Sequence, residues 1–236
     1  FMTYSASATD ARYCLGLLTA DADADIMNPN AWTKSPEPVF TSCPETGVYG
    51  PGHNSFTVDE QGRDMLVYHG RDYEQIEGDP LFDPNRHTRV QRLYFHADGT
   101  PDLGVPVGNG PLPERFQSST RPETWLAYEG PRLFTGSAPL PNTQFRSLPN
   151  GDGTVRLCPI LQRESCLSVA ADGGVGLAPM ATGYAGAAAL FRRVRGPDRD
   201  SIRLESAAFP DQALALTPRG LGLAAATDPA TVWKLS

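Results

Sequence analysis

His53 and His69 are the residues whose type and spacing could do chemistry. The stretch Gly47-Val-Tyr-Gly-Pro-Gly-His-Asn-Ser-Phe56 packs three glycines, a proline and a histidine into a turn. It then opens into the alternating run Ser55-Phe-Thr-Val58. A second strand is predicted over Asp64-Met-Leu-Val-Tyr-His-Gly70, after the hairpin tip Asp59-Glu-Gln-Gly-Arg63, whose glycine supplies a positive φ. Gly50 and Gly52 have no Cβ, so the backbone there can approach another group closely, and His53 is held at that point. An imidazole so placed either closes a hydrogen bond within the fold or binds a ligand, and the residue types alone leave both readings open.

These histidines need a framework of strands. With 236 residues and a hydrophobic fraction of 40%, the chain can bury a proper core, and its length suits two modest domains. Its 23 glycines and 22 prolines, set among many short apolar runs, point to all-β structure with frequent turns. The net charge of −7 argues against a grip on nucleic acid, which draws on clustered Lys and Arg. No apolar run reaches the roughly 20 residues that a membrane helix needs. A neutral polymer such as a polysaccharide fits this balance. The first residues, Phe1-Met-Thr-Tyr-Ser5, read as a strand and not a signal peptide, which suggests that sequence upstream is missing.

Strands are expected at residues 1–8 and 13–20, joined by Thr9-Asp-Ala-Arg12. The run Asp21-Ala-Asp-Ala-Asp25 lacks the glycine and distal glutamate of a calcium loop and reads as a solvated turn. A short strand carrying Trp32 follows, with Pro36 and Pro38 keeping Val39-Phe40 near an edge. After the two central strands comes a polar loop, Arg71 to His87, then a strand over Arg89–Phe95 and an extended segment from Leu103 to Val107. Two units of four short strands give the period of a propeller blade. The loop acids Asp72, Glu74, Glu77 and Asp79 read as solvated carboxylates.

Gly108-Asn-Gly-Pro-Leu-Pro113 reads as a linker. Beyond it the sequence repeats three times. Arg115-Phe116, Val155-Arg156-Leu157 and Ile202-Arg203-Leu204 begin the units, and Phe145-Arg146, Phe191-Arg192 and Trp233-Lys234 end them. Three units of about 40 residues, with four strands each, predict a β-trefoil around one shared core. Four cysteines show no zinc spacing. Cys158 and Cys166 could face each other across a hairpin, and Cys14 and Cys43 could pair or remain buried thiols.

The strings GVYGPGHNSF, FMTYSASATD, YCLGLLTADADADIMNPNAWTKSPEPVF, MLVYHGR and TRVQRLYFHADGTPDLGVP resemble the second half of a glycoside hydrolase family 43 catalytic domain, close to its arabinofuranosidase and arabinanase members. The resemblance implies a five-bladed β-propeller, of which residues 1–107 would be the last two blades, joined by linker 108–113 to the trefoil at 114–236. It implies that His53 is the axial histidine below the sugar pocket, at calcium or another cation. It also implies an inverting hydrolase of arabinan or arabinoxylan in plant cell walls, secreted and without nucleic-acid or membrane partners.

Such hydrolysis takes a carboxylic acid and a carboxylate on opposite sides of the sugar. By the resemblance both, with a further aspartate that tunes the acid, lie upstream of Phe1 in blades absent from this sequence. No catalytic carboxylate is expected in this chain, and the chain alone is expected to be inactive. Supporting positions remain. His69 and Arg71 suit contact with sugar hydroxyls or the orientation of a carboxylate, and a plain surface role suits them equally. Arg89, which shares a strand face with Gln91, would support the pocket floor or form an ion pair between sheets.

The trefoil half resembles the arabinose-binding trefoil of the arabinofuranosidase B type. In that family a histidine and an aspartate of each unit hold the arabinose. Here the histidine positions read Tyr128, Val169 and Leu216, and the aspartate positions Asn142, Gly186 and Asp228. Tyr128 and Asp228 are the candidate sugar contacts that survive. The alternative from a different class is a non-catalytic carbohydrate-binding or structural trefoil with a remnant propeller.

Overall fold

The computed structural model describes residues 1–180 and 186–236. The chain divides into two compact units, Phe1–Asn109 and Gly110–Ser236. It is all-β. Among the described residues, helix is limited to short 3-10 turns at Pro29–Ala31, Pro80–Phe82, Leu140–Thr143, Ala187–Ala189 and Pro229–Thr231.

In the first unit, β1 (Met2–Ala6), β2 (Cys14–Thr19) and β3 (Thr33–Lys34) form one antiparallel sheet. A second joins β4 (Tyr49–Val58), β5 (Asp64–Arg71) and β6 (His87–Arg92), and a third pairs β7 (Tyr94–Phe95) with β8 (Pro101–Asp102). The sequence predicts two sheets of four strands, and the structure instead has sheets of three, three and two. Proline is one reason. Pro36 and Pro38 have no amide hydrogen to offer a ladder, so the segment before Phe40 contributes a single bridge, Leu15 with Phe40, instead of a strand. The acidic run after β2 forms an exposed turn, as its composition predicts. Leu15, Phe40, Leu66, Tyr68 and Leu103 make the apolar core, with the Phe40 ring edge-on to Tyr68 at 4.9 Å.

The second unit holds β9 (Glu114–Ser118), β10 (Trp125–Glu129), β11 (Arg132–Gly136), β12 (Gln144–Pro149), β13 (Thr154–Pro159), β14 (Ser165–Val169), β15 (Val175–Pro179), β16 (Phe191–Arg195), β17 (Ser201–Ser206), β18 (Gln212–Thr217), β19 (Gly220–Ala225) and β20 (Trp233–Leu235). Strand pairing runs from β9 through β12, β13, β16, β17 and β20 back to β9, which closes a barrel of six strands. Closure leaves this ring without an unpaired edge. Three hairpins, β10 with β11, β14 with β15 and β18 with β19, complete the unit.

The repeated residues of the sequence occupy equivalent places. Phe116, Leu157 and Leu204 come from the opening strands, and Phe145, Phe191 and Trp233 from the closing ones, and all meet in one buried cluster. The indole of Trp233 donates to the carbonyl of Leu214 at 2.9 Å, so its one polar group is satisfied inside the core. The equivalence also corrects one position. Gly186 and Asp228 lie five residues before Phe191 and Trp233, at the N-caps of short 3-10 turns, and the residue at the same spacing before Phe145 is Leu140, not Asn142. All four cysteines are buried free thiols. Cys158 and Cys166 share a small cluster with Ala189, and burial pushes the Cys158 thiol up to about 12.

Candidate functional site

The glycine-rich turn lies inside β4 and breaks its ladder with β5. Tyr49 pairs with Arg71, Gly52 with His69 and Ser55 with Val67, with register shifts between them. Such bulges re-aim side chains. His53 falls in the second shift and takes a left-handed φ of 51°, which is uncommon for a residue with a Cβ. Its ring is exposed, and its amide donates to the hydroxyl of Ser5 at 2.8 Å.

Both neighbouring glycines are required sterically. A Cβ on Gly50, whose φ is 58°, would lie 2.6 Å from the carbonyl oxygen of Asp10. One on Gly52 would lie 2.3 Å from the ring of Tyr13. Tyr13 thus covers Gly52, and it also stacks on His69, with ring centroids 5.5 Å apart and planes at 6°. His69 in turn lies 6.3 Å from His53, centroid to centroid. Its Nδ1 is buried without a hydrogen-bond partner. Burial first, then the positive charges of Arg86 and Arg71 and the neighbouring His53, hold the His69 pKa down to about 4. His69 is therefore a neutral imidazole at ordinary pH.

Arg71 and Arg89 are both buried. Arg71 donates to the carbonyls of Thr9 (2.9 Å) and Pro80 (3.2 Å), and its Nε stands 3.6 Å from Asp83. This removes the surface reading of Arg71: its guanidinium anchors the loop between β5 and β6. Arg89 pairs with Asp72 and donates to the carbonyls of Gly70 (3.3 Å) and Val107 (3.4 Å) and to Asn109 (3.2 Å). Asp72 is consequently an ion-pair partner and not a merely solvated acid. Gln91, two residues along the same face, accepts from Tyr68 and donates to the carbonyls of Leu103 and Val105.

The site thus brings together His53 and His69, with Arg71 and Arg89 bracing the chain around them. The sequence reading missed Tyr13 and Asp83. Nothing in the spacing links Tyr13 to Gly52, whereas Asp83 sits in an Asp-Pro turn that does mark an ordered loop. Among the described residues, no three or more His, Cys, Asp or Glu side chains gather to hold a metal ion. The histidine pair alone gives a cation too few ligands, since calcium takes six to eight oxygens.

Every carboxyl whose pKa moves is moved down. Arg12 holds Asp10 at about 2 through a hydrogen bond, and Tyr73, then the Asn85 amide and Arg71, lower Asp83. A general acid for glycoside cleavage needs the opposite shift.

In the second unit, Tyr128 is buried in the core. Its hydroxyl donates to the carbonyl of Pro141 at 2.7 Å and accepts from the amide of Leu161 at 3.2 Å. Asp228 is exposed and caps a 3-10 turn, accepting from the Ala230 amide at 2.8 Å.

Residues 1–101, which carry this histidine turn, match the family model described as Glycosyl hydrolases family 43. That match covers the first unit, and the curated proteins that this chain resembles are arabinofuranosidases. It is 48% identical over 204 residues to alpha-L-arabinofuranosidase B of Pyricularia oryzae, covering 83% of this chain and 42% of that protein. To alpha-L-arabinofuranosidase 43 of Humicola insolens it is 45% identical over 240 residues, 93% of this chain and 49% of the relative. To the extracellular exo-alpha-(1->5)-L-arabinofuranosidase of Streptomyces avermitilis it is 52% identical over 162 residues, 66% and 34% respectively. The chain therefore spans at most about half the length of these relatives. Among the described residues, no helix is long and apolar enough to cross a membrane.

Proposed function

We propose that this chain is the C-terminal part of a secreted, inverting α-L-arabinofuranosidase or arabinanase that acts on arabinan or arabinoxylan of plant cell walls. Residues 1–107 are read as the last two blades of its propeller, 108–113 as linker and 114–236 as an arabinose-binding-like β-trefoil. The observation that carries this reading is the likeness to an arabinofuranosidase, at 45% identity over 93% of the chain, which extends through both units. The closed six-stranded barrel with three hairpins supports the trefoil.

In this reading His53 lies below the sugar and meets an axial cation, directly or through water, with the remaining ligands supplied by water and by residues beyond this sequence. His69, kept neutral, offers its ring to the same pocket, and Arg71 and Arg89 hold the loop and strand that form the pocket floor. The acid and base carboxylates come from sequence outside residues 1–236. The downward shifts of Asp10 and Asp83 support that assignment, since they leave neither suited to be a proton donor. In the second unit Asp228, exposed at its turn, is the sugar contact, and the buried hydroxyl of Tyr128 serves the fold.

The test is hydrolysis of p-nitrophenyl α-L-arabinofuranoside and arabino-oligosaccharides. A version of the relatives' length that carries these residues should turn them over, and the 236-residue chain should not. Inactivity of both on these substrates would contradict the reading. Retardation of the 236-residue chain on arabinoxylan gels, with the longer protein inactive, would favour a binding module instead.

A further inference from the structure

The loop between β5 and β6 surrounds a cleft of about 500 Å³, which falls within the roughly 300–1,000 Å³ of small-molecule pockets. Its walls include Tyr73, Gln75, Glu77, Phe82 and Asn85. We propose that this cleft is a subsite for one neutral sugar residue of the polysaccharide; that the sugar is arabinose rests on the function proposed above.

The loop is built, and its frame leaves a defined set of groups for a ligand. Arg71 reaches the Pro80 carbonyl, the Tyr73 hydroxyl donates to Asp83 at 2.7 Å, and the Asn85 amide donates back to the Tyr73 oxygen at 3.0 Å. Asp79 caps the turn at Leu81, and Arg86 donates to the Leu81 carbonyl. These bonds fix the backbone on both sides of Phe82, whose ring is nonetheless 78% exposed. Gln75 and Glu77 make no hydrogen bond with any described residue.

An exposed aromatic face beside a free carboxamide and a free carboxylate matches the two sides of a sugar. The C–H face covers the ring, and the hydroxyls both donate to the carboxylate and exchange hydrogen bonds with the amide. The carboxylates of Glu77, Asp79 and Asp83 exclude phosphate and uronate ligands by like-charge repulsion. A cation is not the occupant either, because no metal-holding group of three or more such side chains forms among the described residues.

The test uses the 236-residue chain and titration calorimetry with arabinotriose and xylotriose. Because Phe82 is exposed, Phe82→Ala should keep the wild-type unfolding temperature, while arabinotriose binds about tenfold more weakly, as expected for the loss of one aromatic contact. Gln75→Ala should weaken it further. Failure of the wild type to bind either sugar, or equal binding by wild type and Phe82→Ala, would overturn the subsite. Phe82-dependent binding of xylotriose alone would uphold the subsite and overturn arabinose as its sugar. Binding lost in Asp228→Ala but kept in Phe82→Ala would place the sugar in the second unit and sink the proposal.

Discussion

In the second unit Phe116, Phe145, Phe191 and Trp233 meet in one apolar cluster enclosed by a closed ring of strands. The first unit gathers five buried apolar side chains and, beside them, buries Arg71, Arg89, Gln91 and Arg92. The barrel is thus held by area removed from water, which is non-directional and shared among three repeats. The first unit is held by guanidinium and amide groups that each reach specific carbonyls, which costs desolvation but fixes backbone positions. A region that must present histidines and a loop in set directions gains more from directional contacts than from a larger apolar core.

The largest effect expected from this contrast is in the barrel. Trp233→Ala removes the bulkiest core side chain and orphans the Leu214 carbonyl, and should lower stability by about 3–5 kcal/mol in urea unfolding. Loss of less than about 1 kcal/mol would mean that the apolar cluster is not what holds this unit.

In the first unit the two arginines should differ. Arg71→Ala leaves the Thr9 and Pro80 carbonyls without their donor and the Asp83 carboxylate, whose side chain is 9% exposed, without its cationic neighbour, and should cost about 3 kcal/mol. Arg89→Ala releases Asp72, already 49% exposed, so water replaces the lost partner and the cost should be about 1–2 kcal/mol from the orphaned carbonyls. The reverse order would show that exposure of the partner does not set the cost.

Gly52→Ala should destabilise by about 1–3 kcal/mol, because its Cβ meets the Tyr13 ring. Adding Tyr13→Ala should remove most of that strain, read as non-additivity in a double-mutant cycle.

The smallest effect concerns pH. The folded pKa of His69, about 4, lies below its unfolded value of 6.5, so the unfolded chain binds more protons between these values. The contribution of a neutral His69 is full above 6.5 and falls as the pH drops from there toward 4. His69→Gln should flatten this part of the stability profile relative to wild type, measured as urea midpoints across that window.

The two units were also unequally legible in the sequence. The barrel repeats were readable because each strand contributes its own apolar residue at a recurring place, so Phe116, Leu157 and Leu204 identify one another without any long-range knowledge. Where a repeat position required exact spacing the reading slipped, and Asn142 stood in for Leu140. Tyr128 shows a different limit: its position in the repeat was readable, but the inward direction of its side chain, toward Pro141 and Leu161, was not. In the first unit the glycine turn and His53 stood out locally. Tyr13 over Gly52, and Arg71 bound to Thr9, join residues far apart in the chain, and no local pattern encodes such pairs.

The most direct measurement is kcat/KM on arabino-oligosaccharides for a version of the relatives' length carrying His53→Ala. His53 is exposed and its side chain holds no part of the core, so the variant should fold with an unchanged unfolding temperature. Activity should fall by about 10–100-fold, the usual cost of removing a group that supports a metal or substrate. An active parent protein whose kcat/KM is unaffected by the substitution would contradict the placement of the sugar pocket over His53.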